Sequence, residues 1–168
     1  MIFGLMMIAF LVFLDQITKH MAKAWITGDT VWIKGVLELG YRENYGASFG
    51  LLANQHLLFF VITLIALAIF GYLFHSVDFQ SKKVYSWSMV LFIAGTLGNA
   101  IDRAMLSFVI DFLHYPFIGY IIGHSNNFYN NFADLYLSLA ILLFAIDVFF
   151  LETKRKKEKK HEVPSVDH

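Results

Sequence analysis

Asp111 and Asp134 are the residues of this chain best suited to chemistry. Asp111 lies between apolar neighbours in Val109-Ile110-Asp111-Phe112, and Asp134 follows Asn130-Asn131-Phe132-Ala133 at the head of a long apolar run. Two carboxylates that share a poorly hydrated site do not both ionise readily. One pKa rises, which leaves one acid and one base near neutral pH. Such a pair can activate a water for attack on a peptide carbonyl without a metal. Asn131 and Asp134 are three apart, and the same spacing recurs in Asn99 and Asp102, with Arg103 next in line. On a helix each pair shares a face. With Asp15 and Glu43 these make five carboxylates at or near the ends of apolar runs, where an unpaired charge is costly and is a functional candidate by default.

Plainer readings exist for each residue. Asn131 suits a helix N-cap and Asp134 the first turn, where the helix dipole favours negative charge. Arg103 can anchor a helix end by snorkelling. His114 and His124 match no familiar zinc-ligand spacing and read better as interface histidines. There is no cysteine, so thiolate chemistry and disulfides are excluded. No G-x-S-x-G, H-E-x-x-H or P-loop pattern occurs.

The elements that must position these groups are four apolar runs, at about 2–14, 57–74, 84–100 and 132–151. Hydrophobic residues make up 58% of the 168 and charged residues 15%, against roughly 45–50% and about 25% in soluble domains. A bilayer accommodates that surface. A spanning helix needs about 20 apolar residues, so the expected spans are 2–22, 56–75, 84–103 and 132–152. The first reaches that length by continuing past Asp15. A cleaved leader ending at Ala22-Lys23-Ala24 is the competing reading; no basic residue precedes the run, and Asp15, Lys19 and His20 interrupt it.

Lys82-Lys83 and the basic block 154–160 mark the cytoplasmic side. Both termini are then inside, with segments 25–56 and 102–131 outside; Lys19, Lys23, Lys34 and Arg42 count against this orientation. Residues 30–34 and 36–41, flanking Gly35, predict two short strands. The second outer segment is aromatic and suits the membrane interface. Gly95 and Gly98 permit close helix packing.

The chain resembles the lipoprotein signal peptidases, the bacterial type II signal peptidases. The matching pieces are Asp15-Gln16-Ile17-Thr18-Lys19, Glu43-Asn44-Tyr45-Gly46-Ala47-Ser48-Phe49, Gly98-Asn99-Ala100-Ile101-Asp102-Arg103, Val109-Ile110-Asp111-Phe112 and Asn131-Phe132-Ala133-Asp134, in the family's order. Asn130 stands where the family usually has Phe, Ser107 or Phe108 replaces a usual Gly, and Ala94 and Thr96 vary a small-residue lead-in. None of these departures removes a chemical group.

The resemblance implies an all-α membrane protein with four transmembrane helices, a small extracytoplasmic β-cradle and an interfacial loop or helix. The peptidase domain would cover 1–153, with 154–168 a disordered cytoplasmic tail. It implies an aspartyl endopeptidase of the bacterial cytoplasmic membrane with Asp111 and Asp134 catalytic. Asp15, Asn44, Asn99, Asp102, Arg103 and Asn131 would support the site or contact substrate. Substrates would be diacylglyceryl prolipoproteins, cut just before the lipidated cysteine, with membrane lipid as surroundings and no cofactor, metal or nucleic acid. A proton-coupled carrier is the alternative, but carriers keep polar residues near the bilayer midplane and these lie at run ends. A subunit that uses polar groups only to glue helices gives no reason for two Asn-x-x-Asp units.

Overall fold

The structure is a computed structural model that describes residues 1–46, 56–122 and 128–156. In chain order the elements are α1 (Ile2–Trp25), β1 (Thr30–Ile33), β2 (Leu37–Asn44), α2 (His56–Phe74), α3 (Lys83–Leu106), β3 (Val109–His114), α4 (Pro116–Ile122), β4 (Tyr129–Asn130) and α5 (Phe132–Ile146). A π-helical turn, Asp147–Leu151, continues α5, and the whole helical rod reaches Lys156. The first three residues of the expected tail, 154–156, are thus helical; 157–168 lie outside the described residues.

Among the described residues, three helices are long and apolar enough to cross a membrane: Ile2–Trp25, Lys83–Leu106 and Phe132–Lys156. The second predicted span appears as α2, with Leu58–Phe74 a shorter apolar helix than these three. At 1.5 Å per residue a 24-residue helix such as α1 or α3 is about 36 Å long, enough for a hydrocarbon core of about 30 Å. α1 runs unbroken through Asp15 and through Ala22-Lys23-Ala24. Large apolar side chains are exposed along α1 (Phe3, Phe10, Phe13), α2 (Phe60, Ile65) and α5 (Ile141, Leu142). Apolar patches on this scale suit lipid rather than water.

α3 is the central helix. Its Met89, Val90, Leu91, Phe92 and Ala94 are buried with Ile8 of α1, Phe74 of α2 and Ala140 of α5. Two glycines let its neighbours come close. A Cβ on Gly95 would lie 2.6 Å from the Ala133 carbonyl oxygen, and one on Gly98 would lie 2.6 Å from Asp15 Oδ2. The small-residue stretch therefore serves two contacts, one with the start of α5 and one with a carboxylate of α1.

The sheet is antiparallel in the order β1-β2-β3-β4. β1 and β2 are the hairpin expected around Gly35, whose φ is +75°. β2 runs on to Asn44 and pairs with β3, with Arg42 opposite Asp111 and Asn44 opposite Val109. The sequence does not announce β3: the second outer segment reads as interfacial aromatics, yet 109–114 is a nearly fully buried strand. Phe112 and Leu113 pack with Ala22 of α1, and with Phe132 and Leu135 of α5. That packing fixes the sheet against the ends of the two helices. α3 stops at Ser107, which adopts a left-handed φ of 68°. Glycine meets that conformation without the steric cost a Cβ brings.

Candidate active site

The site forms where β2, β3 and the ends of α1, α3 and α5 meet. Asp111 points from β3 and is buried. Its Oδ1 accepts from Asn131 Nδ2 at 2.7 Å and its Oδ2 from Asn44 Nδ2 at 2.9 Å. Asp134 lies in the first turn of α5. Its Oδ1 accepts from Asn99 Nδ2 at 2.7 Å and its Oδ2 from the Asn131 backbone N–H at 3.3 Å. All four carboxylate oxygens thus have donors, which fixes both rotamers.

Asn131 touches both acids. It is the N-cap of α5 in a reciprocal capping box with Asp134, and its Oδ1 accepts the Asp134 N–H at 3.0 Å. The plain helix-start reading is therefore correct and incomplete. Because the cap consumes the oxygen, the amide NH2 is left to face Asp111 and the Ile110 carbonyl, at 2.7 and 3.2 Å.

The same logic orients the other two asparagines. Asn44 Oδ1 accepts the Gly46 N–H at 3.0 Å, so its NH2 faces Asp111. Asn99 Oδ1 accepts from Lys19 Nζ at 3.0 Å, so its NH2 faces Asp134. In each case a donor that cannot accept decides which way the amide points.

Desolvation by burial, and then the negative charge of Asp134, push the Asp111 carboxyl up to about 7 from 3.8, against the opposing pull of Asn44, Asn131 and Lys19. A carboxyl at that value can hold or release a proton near neutral pH.

Beneath the two acids lies a buried ionic cluster. Lys19 Nζ is 2.8 Å from Asp15 Oδ2 and 3.1 Å from Asp102 Oδ2. Asp15 Oδ1 also accepts the Ala133 N–H at 2.9 Å, and Asp102 Oδ2 the Ile110 N–H at 3.0 Å. Each carboxylate therefore grips the peptide N–H of the residue just before one of the paired acids. Gln16 Nε2 joins Asp102 Oδ1 and the Gly98 carbonyl oxygen, both at 3.0 Å.

Every sequence-predicted site residue among Asp15, Asn44, Asn99, Asp102, Asp111, Asn131 and Asp134 joins this one network. Arg103 stands beside it. Its guanidinium lies 4.7 Å from the centre of the Phe59 ring and within electrostatic reach of Asp134, Asp111 and Asp102. Glu43 is elsewhere: it is exposed and accepts from the Tyr41 and Tyr45 hydroxyls at 3.0 and 2.6 Å, which hold its carboxyl below the usual range. His114 bonds to Glu38 at 3.0 Å and stacks on Tyr129. His124 and the Ala47-Ser48-Phe49 part of the second motif lie outside the described residues. Sequence reasoning missed Lys19 and Gln16 as members of the site. The available signal was Lys19's place four residues after Asp15, a spacing that makes intrahelical ion pairs.

The sequence matches the family model of signal peptidase (SPase) II over residues 7–150. It is 33% identical over 127 residues to the lipoprotein signal peptidase of Caldanaerobacter subterraneus subsp. tengcongensis, covering 74% of this chain and 86% of that one. It is 37% identical over 136 residues to that of Streptococcus thermophilus, covering 79% and 83%. With that of Clostridioides difficile it shares 31% over 161 residues, covering 90% and 98%. A bacterial membrane enzyme solved by the in meso method at 2.3 Å resolution superposes with a TM-score of 0.77 at 31% identity, covering 96% of this chain and 94% of that one. The family match spans every residue of the network around the two aspartates, and by these matches the chain belongs to the signal peptidase II family, the membrane aspartyl peptidases of lipoprotein maturation.

Proposed function

We propose that this protein cleaves the signal peptide from diacylglyceryl-modified prolipoproteins just before the lipidated cysteine, with Asp111 and Asp134 as its catalytic pair. The observation that carries this reading is Asn131, which contacts both carboxylates at once. A pair that holds one proton between its members supplies base and acid together. One carboxylate takes a proton from water as its oxygen attacks the scissile carbonyl carbon. The other hydrogen-bonds or protonates the carbonyl oxygen. Collapse of the tetrahedral intermediate breaks the C–N bond, and a proton passes to the departing cysteine amine. The pair titrates as a unit. Asn44, Asn99 and Asn131 hold the carboxylates, Asp15 and Asp102 hold the backbone beneath them, and Arg103 flanks the pair.

The enzyme crosses the bacterial cytoplasmic membrane four times, with Leu58–Phe74 in the second span. Both termini are cytoplasmic and the pair is on the outer side. Residues 1–153 are the peptidase domain and 154–168 its basic cytoplasmic end. A signal peptide is an apolar helix already in the bilayer, and the acyl chains of its modified cysteine stay in the outer leaflet. A site at the helix ends meets the scissile bond without extracting substrate from lipid.

The test is to incubate purified protein in lipid with a diacylglyceryl-modified precursor and with its unmodified form. Conversion of the modified precursor to a product beginning at the lipidated cysteine supports the reading. No cleavage, or equal cleavage of both precursors, overturns it.

A further inference from the structure

Lys19 is a lysine with no exposure at all, on a helix whose other buried residues are Gly4, Ile8, Asp15 and Ala22. An ammonium has three donors and no acceptor. Here the three meet Asp15 Oδ2, Asp102 Oδ2 and Asn99 Oδ1. The first two contacts balance charge. The third reaches toward the catalytic pair, because the other end of the Asn99 amide donates to Asp134 at 2.7 Å. Asn44 and Asn131 are oriented by backbone N–H groups of Gly46 and Asp134. For Asn99 the orienting group is a side chain.

We propose that Lys19 is a positioning residue for the cleavage reaction: its ammonium locks the Asn99 amide so that Asn99 presents only donors to Asp134. The inference rests on the peptidase reading above. Were the amide turned round, its carbonyl oxygen would face the Asp134 carboxylate. That arrangement repels the ionised acid and accepts a proton from the neutral one, so it would move the shared proton toward Asp134. A lysine in contact with the amide oxygen removes that alternative. The ordinary role of a buried lysine, neutralising Asp15 and Asp102, does not need the third contact.

The two roles separate in a set of variants. Lys19→Met alone leaves Asp15 and Asp102 unbalanced and is expected to lose thermal stability. Asp15→Asn/Lys19→Met restores the net charge of the cluster, and the new amide oxygen can still accept the Ala133 N–H. The double variant is expected to regain most of that stability. Its kcat is nevertheless expected to stay between about tenfold and 100-fold below that of Asp15→Asn alone, since small misplacements of catalytic groups cost that much. KM stays within about twofold, because the contact acts on the transition state and not on substrate binding. Recovery of kcat to the Asp15→Asn value, or a loss confined to KM, overturns the proposal. Wild type and Asp111→Asn run in the same assay. If wild type does not cleave, the peptidase reading falls; if it cleaves and the double variant keeps its kcat, only the role of Lys19 falls.

Discussion

Replacing Asn131 by serine separates the helix-start role of this residue from its grip on Asp111. Serine is as good an N-cap as asparagine, so its hydroxyl can still accept the Asp134 N–H. It has no NH2, so the bond to Asp111 Oδ1 at 2.7 Å and the bond to the Ile110 carbonyl at 3.2 Å are both lost. A hydrogen bond to an ionised group contributes about 1.5–3 kcal/mol, and one pKa unit corresponds to about 1.36 kcal/mol. The bond favours the ionised form of Asp111, so its loss raises the Asp111 carboxyl from about 7 by roughly one to two units. In the native pair that value marks loss of the last shared proton, above which both acids are charged and no general acid remains. The kcat/KM profile of wild type should therefore fall above about pH 7. In Asn131→Ser this alkaline limb should move upward by the same one to two units, roughly, while kcat drops about tenfold or more. Asn131→Ala should show the same shift and lose roughly a further 1 kcal/mol of stability with the cap. The assay is cleavage of a diacylglyceryl precursor by purified protein from acid to alkaline pH. An unmoved limb with kcat within about twofold of wild type would reduce Asn131 to a helix cap and refute the reasoning.

Gly98→Ala would place a methyl 2.6 Å from Asp15 Oδ2 and 3.0 Å from the Ala133 Cβ. It should cost about 1–3 kcal/mol by overpacking, read as a lower Tm, and should depress cleavage by displacing the carboxylate that holds the Ala133 N–H; unchanged stability and rate would mean the helices simply part. Because the Asp111 carboxyl titrates near 7 in the native protein and near 3.8 when free, the native state keeps a proton that the unfolded chain releases. Thermal stability should therefore fall as pH rises between those values, and fall less steeply in Asp111→Asn; a rise over that interval in the native protein contradicts the assignment. Ser107→Gly should raise Tm through roughly 1 kcal/mol of relieved left-handed strain, measured by thermal denaturation in lipid or detergent. Cleavage should survive EDTA; a loss restored by a divalent cation would turn the same carboxylates into a metal site.

The helices were legible because apolar runs of spanning length leave few other solutions, and the hairpin because strand-like residues flank a glycine that takes positive φ. β3 was hidden. Its residues are as aromatic and apolar as an interfacial loop, and its partner is β2, more than sixty residues earlier, so no local pattern announces it. The polar site residues were legible as types, since each carboxylate near hydrocarbon asks for an explanation. What could not be read was how they are partnered. In the sequence Lys19 reads as one of several positive charges on the outer side, weighing against the proposed orientation. It is instead buried between Asp15 and Asp102. Only the crossing of α1 over Gly98 of α3 makes that possible, and such a crossing is a tertiary fact. Asn131 shows the converse: its local role as a cap was correct, and its second role appeared only when β3 brought Asp111 to its amide.

The most direct measurement is single-turnover cleavage of a diacylglyceryl precursor by wild type, Asp111→Asn and Asp134→Asn in the same lipid, with folding and insertion checked for each. Both substitutions keep size and remove the ability to share a proton; each also sets an NH2 against a donor that the carboxylate oxygen accepted from, which is why folding is checked. Turnover at the uncatalysed background in both variants is the predicted result. A rate within about tenfold of wild type in either one would contradict the pairing of Asp111 with Asp134 as the chemical centre.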